Sequence, residues 1–150
     1  MKKIFILILL VIVLVLLVRR VHREVSQGGS DFQTITIGSQ ALHVEVVRST
    51  RELSKGLGER NTIGSDGMLF VLPVRIIPTF WMKDMRFGLD FVWIDGDRVV
   101  ALTPNVPAEP GVSDISLKVY SPGVLSTHVL ELPLGDIEKH QIHIGDPVQL

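Results

Sequence analysis

The sequence predicts a mainly β domain, a small β-barrel or sandwich-like fold with one or two short helices, preceded by an N-terminal transmembrane helix. Three observations predict it. Residues Ile4 to Val18 are fifteen consecutive apolar side chains, set between Lys2-Lys3 and the cations Arg19, Arg20 and Arg23. From Phe32 onward, short runs rich in β-branched and apolar residues recur between glycine, proline and aspartate turn signals. Asp95-Gly96-Asp97 between two such runs is a strong hairpin signal, whereas a full helix start is written once, at Ser49.

The apolar leader comes first. At helical rise it covers roughly 22 Å against a hydrocarbon core of about 30 Å, between a signal-peptide core and a full span. Retention is favoured because Arg19-Arg20-Val21-His22-Arg23 stands in the place of a small-residue cleavage site. The arginines can snorkel and lengthen the span. The run has no polar face, unlike a helix lying on a soluble core. Residues 1–25 are therefore expected to be a signal anchor with a basic flank, touching the lipid bilayer through residues 4–18. A lipoprotein anchor is excluded, because the chain has no cysteine. The two basic flanks nearly balance, but an apolar N-terminal helix with a basic head usually delivers the rest of its chain outside the cytoplasm. That is the expected location of the C-terminal domain, in a single-pass protein.

Residues 26–30, Ser-Gln-Gly-Gly-Ser, form a small uncharged linker, and residues 31–150 form the β-rich domain. Phe32–Ile37 and Leu42–Val47 alternate as strands around Gly38-Ser39-Gln40, an expected hairpin. Ser49-Thr50-Arg51-Glu52 is a capping box, and the helix it opens is expected to end near Leu57 with Gly58 as its stop. Gly67–Leu72 reads as a strand ending at Pro73, and Thr79–Met82 as another after Pro78. Leu89–Ile94 and Arg98–Thr103 are the two arms of the Asp-Gly-Asp hairpin. Pro104–Ser113, with three prolines, is expected to be a loop. Leu117–Tyr120, His128–Leu132 and Ile142–Leu150 complete the strands, with a helical turn at Gly135–His140.

Several segments in this order resemble one family. They are Leu53-x-x-Gly56-Leu57-x-x-Arg60, Asp66-Gly67-Met68-Leu69-Phe70, Phe80-Trp81-Met82-Lys83-Asp84-Met85, Leu89-Asp90-Phe91-x-x-Ile94-Asp95, Val129-Leu130-Glu131-Leu132 and Gly145-Asp146. Together they are similar to the family known as domain of unknown function 192, small β-rich proteins often found behind a signal or membrane anchor. Gly58 and Met85 depart from the family's usual residues. The resemblance covers roughly Thr34 to Leu150. It implies a fold and a habit of export, and it brings no reaction with it.

Asp90 is the most telling polar residue. It interrupts a strand otherwise apolar on both faces and shares a face with Val92 and Ile94, so it is expected to be buried. A buried carboxylate needs a cation or backbone donors. Lys83, Arg60 and Arg86 are the candidate cations, with Lys83 expected as the partner. The pair is read first as a structural ion pair, and otherwise as the lining of a pocket. In Phe80-Trp81-Met82 the middle residue points opposite to its neighbours. Trp81 is expected to pack in the core; exposed beside Lys83, it would suit a flat, partly polar ligand. Arg60, Trp81, Lys83, Asp90 and Glu131 are the candidate binding or pocket residues.

Other chemistries find little support. His128 and Glu131, three apart on a strand, point to opposite faces, and His43 with Glu45 makes only two ligands, so no metal is expected. There is no nucleophile elbow and no glycine-rich phosphate loop, and no cofactor is expected. Residues 31–150 carry ten Lys and Arg against fifteen Asp and Glu, net −5. That balance argues against nucleic acid as a partner. The expected function is a membrane-anchored, extracytoplasmic ligand-binding or interaction module, its protein or small-molecule partner unspecified. The alternative is an envelope-associated enzyme acting on a small substrate with Lys83 and Asp90 as an acid–base pair. A third reading docks the Pro104–Pro110 loop on a membrane partner.

Overall fold

The structure, a computed structural model, describes residues 31–150. The expected anchor and linker, residues 1–30, lie outside the described residues. Among the described residues no helix is long and apolar enough to cross a membrane.

The domain is mainly β with two short helices. Strands β1 (Asp31–Ile37), β2 (Gln40–Val47), β3 (Gly67–Ile76), β5 (Leu89–Asp95), β6 (Arg98–Val106), β8 (Ser126–Pro133) and β9 (Val148–Gln149) build one sheet in the order β6-β5-β8-β3-β2-β1-β9. A two-stranded ribbon pairs β4 (Phe80–Trp81) with β7 (Val119–Tyr120). Helix α1 spans Thr50–Lys55 and α2 spans Asp136–Lys139. The large sheet curls into a half-barrel, and its two edges are tied at one end. Val99 N–H donates to Asp146 O (3.0 Å), Gly145 N–H to Val99 O (2.8 Å) and Val148 N–H to Asp97 O (2.8 Å).

Curling gives the sheet two apolar faces. The concave core draws on every strand of the large sheet and includes Ile35, Val44, Leu69, Val92, Val99, Leu130 and Val148. A second core on the convex face holds Met68, Phe70, Phe91, Trp93, Val129 and Tyr120, covered by the turn after α1, residues 82–85 and the β4–β7 ribbon. Covering both faces explains why Leu89–Ile94 is apolar at five of its six positions and buried at all of them. On the convex side, Phe80 meets Phe70 edge-on at 5.0 Å and Trp93 at 5.6 Å.

Several elements differ from the sequence reading, each for a local reason. The capping box forms, with Glu52 N–H donating to Ser49 Oγ and Glu52 Oε2 accepting from Ser49 N–H. However, α1 ends at Lys55, because Gly56 takes φ 48° and packs its Cα side against Phe70. β3 does not stop at Pro73. Its register shifts between Val71 and Ile76, and proline is tolerated where the ladder is interrupted. β6 runs on through Pro104 to Val106, so the proline-rich loop starts later than expected. The last strand shrinks to Val148–Gln149, since residues 142–147 are spent on turns that tie the sheet edges.

β2 and β3 are parallel, linked by the crossover that carries α1. Asp66 fastens the start of β3, its Oδ2 accepting from His43 N–H at 2.7 Å and its own N–H donating to His43 O. The next position is glycine because the backbone of β8 lies against it. A Cβ on Gly67 would sit 2.7 Å from Glu131 O and 3.0 Å from Leu132 Cδ2. Gly67→Ala is therefore expected to destabilise the domain by about 1–3 kcal/mol, the usual cost of overpacking. A melting temperature unchanged from that of the parent protein would contradict this close approach.

Candidate functional site

An open cleft of about 680 Å³ runs along the convex face. One wall is α1 with its exit turn, including Leu53, Gly56 and Gly58; the other is the arm from Leu72 to Trp81. Phe70 and Glu131 contribute to its lining, with Lys83 and Met85 nearby. The exit turn is held by two left-handed residues, Glu59 (φ 66°) donating its N–H to the carbonyl of Asp84 (φ 56°) at 2.8 Å.

Glu131 is the polar residue of interest. On β8 it stands opposite Met68 of β3, which stands opposite Glu45 of β2, so both carboxyls occupy one row of the convex face. Arg60 grips Glu45 with both guanidinium arms, at 2.5 and 2.9 Å. This bidentate pairing holds the Arg60 guanidinium above its ordinary pKa. Glu131 feels Arg60 only through space. Burial dominates, and its pKa is pushed up to about 8. Its Oε2 is buried and has no hydrogen-bond partner among the described residues. At neutral pH Glu131 is thus largely a neutral acid, able to donate a proton or a hydrogen bond.

The other candidates fall in three places. Trp81 is not in the core: it is 53% exposed and lines the cleft, whereas its neighbour Met82 is buried. The alternation of a short ribbon turns Phe80 and Met82 inward and leaves the indole outside. Lys83 also lines the cleft, but its ammonium pairs with Asp114, which raises its pKa. Asp90 is fully buried on the concave side, opposite Leu132. Its oxygens accept from three backbone N–H groups, those of Asn105 (2.7 Å), Gly135 (3.1 Å) and Ile137 (2.9 Å). The expected Lys83–Asp90 pair is therefore not formed, and the acid–base reading built on it loses its two residues. Asp90 is satisfied by backbone because α2 begins directly over β5, and Arg86 turns instead to Asn61. Arg60 serves Glu45, so it acts beside the cleft through the carboxyl row.

Two features escape a reading of the sequence. Glu45 is visible there only as a charge in an alternating strand, and its pairing with Arg60 depends on the parallel β2–β3 register. The apolar wall Ile76-Ile77 comes after a proline and resembles the end of a strand. Among the described residues, no three histidine, cysteine, aspartate or glutamate side chains are grouped to hold a metal ion.

A curled β half-barrel with a cleft on its convex face, floored by a buried carboxyl, defines a class of small domain with no assigned activity. The chain belongs to the family described as "Uncharacterized ACR", domain of unknown function 192, which matches residues 33–150. Two solved structures share the fold. One is a Sinorhizobium meliloti 1021 protein described as a "putative transcription regulator", 19% identical, with a TM-score of 0.72 over 83% of this chain and 97% of that one. The other is a protein of unknown function from Novosphingobium aromaticivorans DSM 12444, 26% identical, with a TM-score of 0.71 over 83% of this chain and 89% of that one. No curated protein matches the chain.

Proposed function

We infer that this protein is a membrane-tethered binding domain, held outside the cytoplasm by residues 1–25, that takes a small ligand in the convex cleft. One observation carries the reading: Glu131 sits in the lining of the cleft with a buried carboxyl oxygen that no group among the described residues satisfies. A buried, unpaired carboxyl is a cost to stability, and such groups concentrate where a ligand completes them. Its surroundings suggest what completes it. Phe70, Leu72, Ile76, Ile77 and Phe80 offer apolar surface, and the half-exposed Trp81 offers a flat face. The fitting ligand has an apolar or ring-shaped body and one polar atom that accepts a hydrogen bond from the neutral Glu131 carboxyl.

The test is a thermal-shift screen of small amphiphilic and ring compounds on the full chain in lipid nanodiscs, repeated with Trp81→Ala. Trp81 is half exposed, so the substitution should leave the domain folded at a cost of about 1–2 kcal/mol. It should nevertheless abolish the shift given by any compound bound in the cleft. A ligand shift that persists undiminished in Trp81→Ala places binding elsewhere and overturns this reading. Tethering is tested separately by the mass of the protein extracted from membranes. Complete loss of the leader would refute it.

A further inference from the structure

We propose that the apolar arm beside the cleft docks on the lipid bilayer, so that the cleft opens at the membrane surface and draws its ligand from there. The proposal rests on the tethered reading above and deepens it by naming a second contact with lipid and the source of the ligand. The arm is the part of β3 beyond its register shift together with the ribbon that returns from it. It exposes Val74 (60%), Ile76, Ile77, Trp81 and Val119, the last standing directly opposite Trp81 on the ribbon. Neighbouring large apolar side chains left in water in this way mark an interaction surface. Trp81 is the side chain type that settles at a bilayer–water interface.

The path of the chain says what covers this surface. β2 ends where β3 reaches Phe70, Val47 standing opposite it, and the described chain begins at the same end, with Asp31 opposite Val46. Arg48 joins these parts. It bonds Asp31 at 2.6 Å, and one strand beyond β3 His128 stands opposite Val71, where the arm begins. Asp31 thus lies two strands from β3, about 10 Å by the usual strand spacing. Upstream, Arg23 of the basic flank is eight residue steps from Asp31, so even a fully extended chain holds it within about 29 Å of that residue. A tether this short makes contact between the arm and the bilayer intramolecular, and modest apolar surface then suffices. Ile76, Ile77 and Trp81 both belong to the arm and line the cleft, so a ligand leaving the bilayer would enter without crossing water.

The experiment uses the full chain reconstituted in phosphatidylcholine–phosphatidylglycerol vesicles, with and without brominated acyl chains, which quench indole on contact. Flotation of the protein with the vesicles is read first. The expected result is flotation together with loss of the Trp81 emission in brominated vesicles. The emission of Trp93, fully buried in the convex core, should persist. Trp81→Phe should remove the quenchable component, and Val74→Ser with Ile77→Ser, both exposed, should weaken the quenching while the domain stays folded. Flotation without quenching leaves the tether standing and overturns the docked arm. Blue-shifted Trp81 emission without quenching also overturns it, and assigns the arm to a second copy or a protein partner. Quenching that survives in Trp81→Phe comes from elsewhere and overturns it as well. Failure to float refutes the tether and the docking together.

Discussion

Asp90→Ala should lower the stability of the domain by on the order of 4 kcal/mol, a large share of the 5–15 kcal/mol typical of a domain. The carboxylate is fully buried and is the acceptor for the N–H groups of Asn105, Gly135 and Ile137. Alanine leaves all three donors without their acceptor, and each unsatisfied buried group costs about 1–3 kcal/mol, not fully additively. The loss has a local signature too. Asn105 lies in β6 and Ile137 in α2, so one side chain ties the end of a strand to a helix across the concave core. Amide exchange at these positions should accelerate in the variant ahead of global unfolding. Asp90→Asn, which keeps the volume and one accepting oxygen, should fall between the two. Urea titration is the measurement. A midpoint for Asp90→Ala within about 1 kcal/mol of the parent, at unchanged m-value, would show that water replaces the carboxylate.

Glu131 gives the second large effect, read as a dependence on pH. Its ordinary pKa of 4.5 applies to the unfolded chain, and burial raises the folded value to about 8. Below 4.5 both states hold the proton and this group adds no slope. Between 4.5 and about 8 the folded state keeps a proton that the unfolded state has released, so stability falls as pH rises. Above that range both states are ionised and the decline stops. Across the whole window the loss is on the order of 5 kcal/mol by linkage. His128 acts in the opposite sense, because burial lowers its pKa and its contribution grows as pH rises toward 6.5. The clean readout is therefore the difference between the parent protein and Glu131→Gln, since glutamine is neutral throughout. The difference should be small near pH 5 and favour the variant increasingly toward pH 8. Parallel stability curves for the two proteins would show Glu131 ionised in the fold, and would remove the hydrogen-bond donor from the cleft.

Much of the β framework is legible in the sequence because its signals are local. Alternation in Phe32–Ile37 and Leu42–Val47, the Asp95-Gly96-Asp97 turn and the Ser49–Glu52 box all act within a few residues, and each appears at its expected place. Departures concentrate where distant packing overrides a local cue. Pro73 does not end β3, because a register shift against β8 absorbs it. Trp81 is a core residue by type, yet the two-residue ribbon with β7 presents it outward.

By itself the amino-acid order determined the mainly β class, the apolar leader with its basic flank, the net acidity of the domain and the burial of Asp90, since each arises from residue type and near-neighbour spacing. Tertiary structure alone decided which groups meet. Whether Asp90 found a lysine or three amides depended on where α2 closes over β5. Whether Arg60 served Glu45 or Glu131 depended on the parallel register of β2 and β3. Such pairings join residues 15 to 47 positions apart in the chain, and no local propensity carries information over that distance.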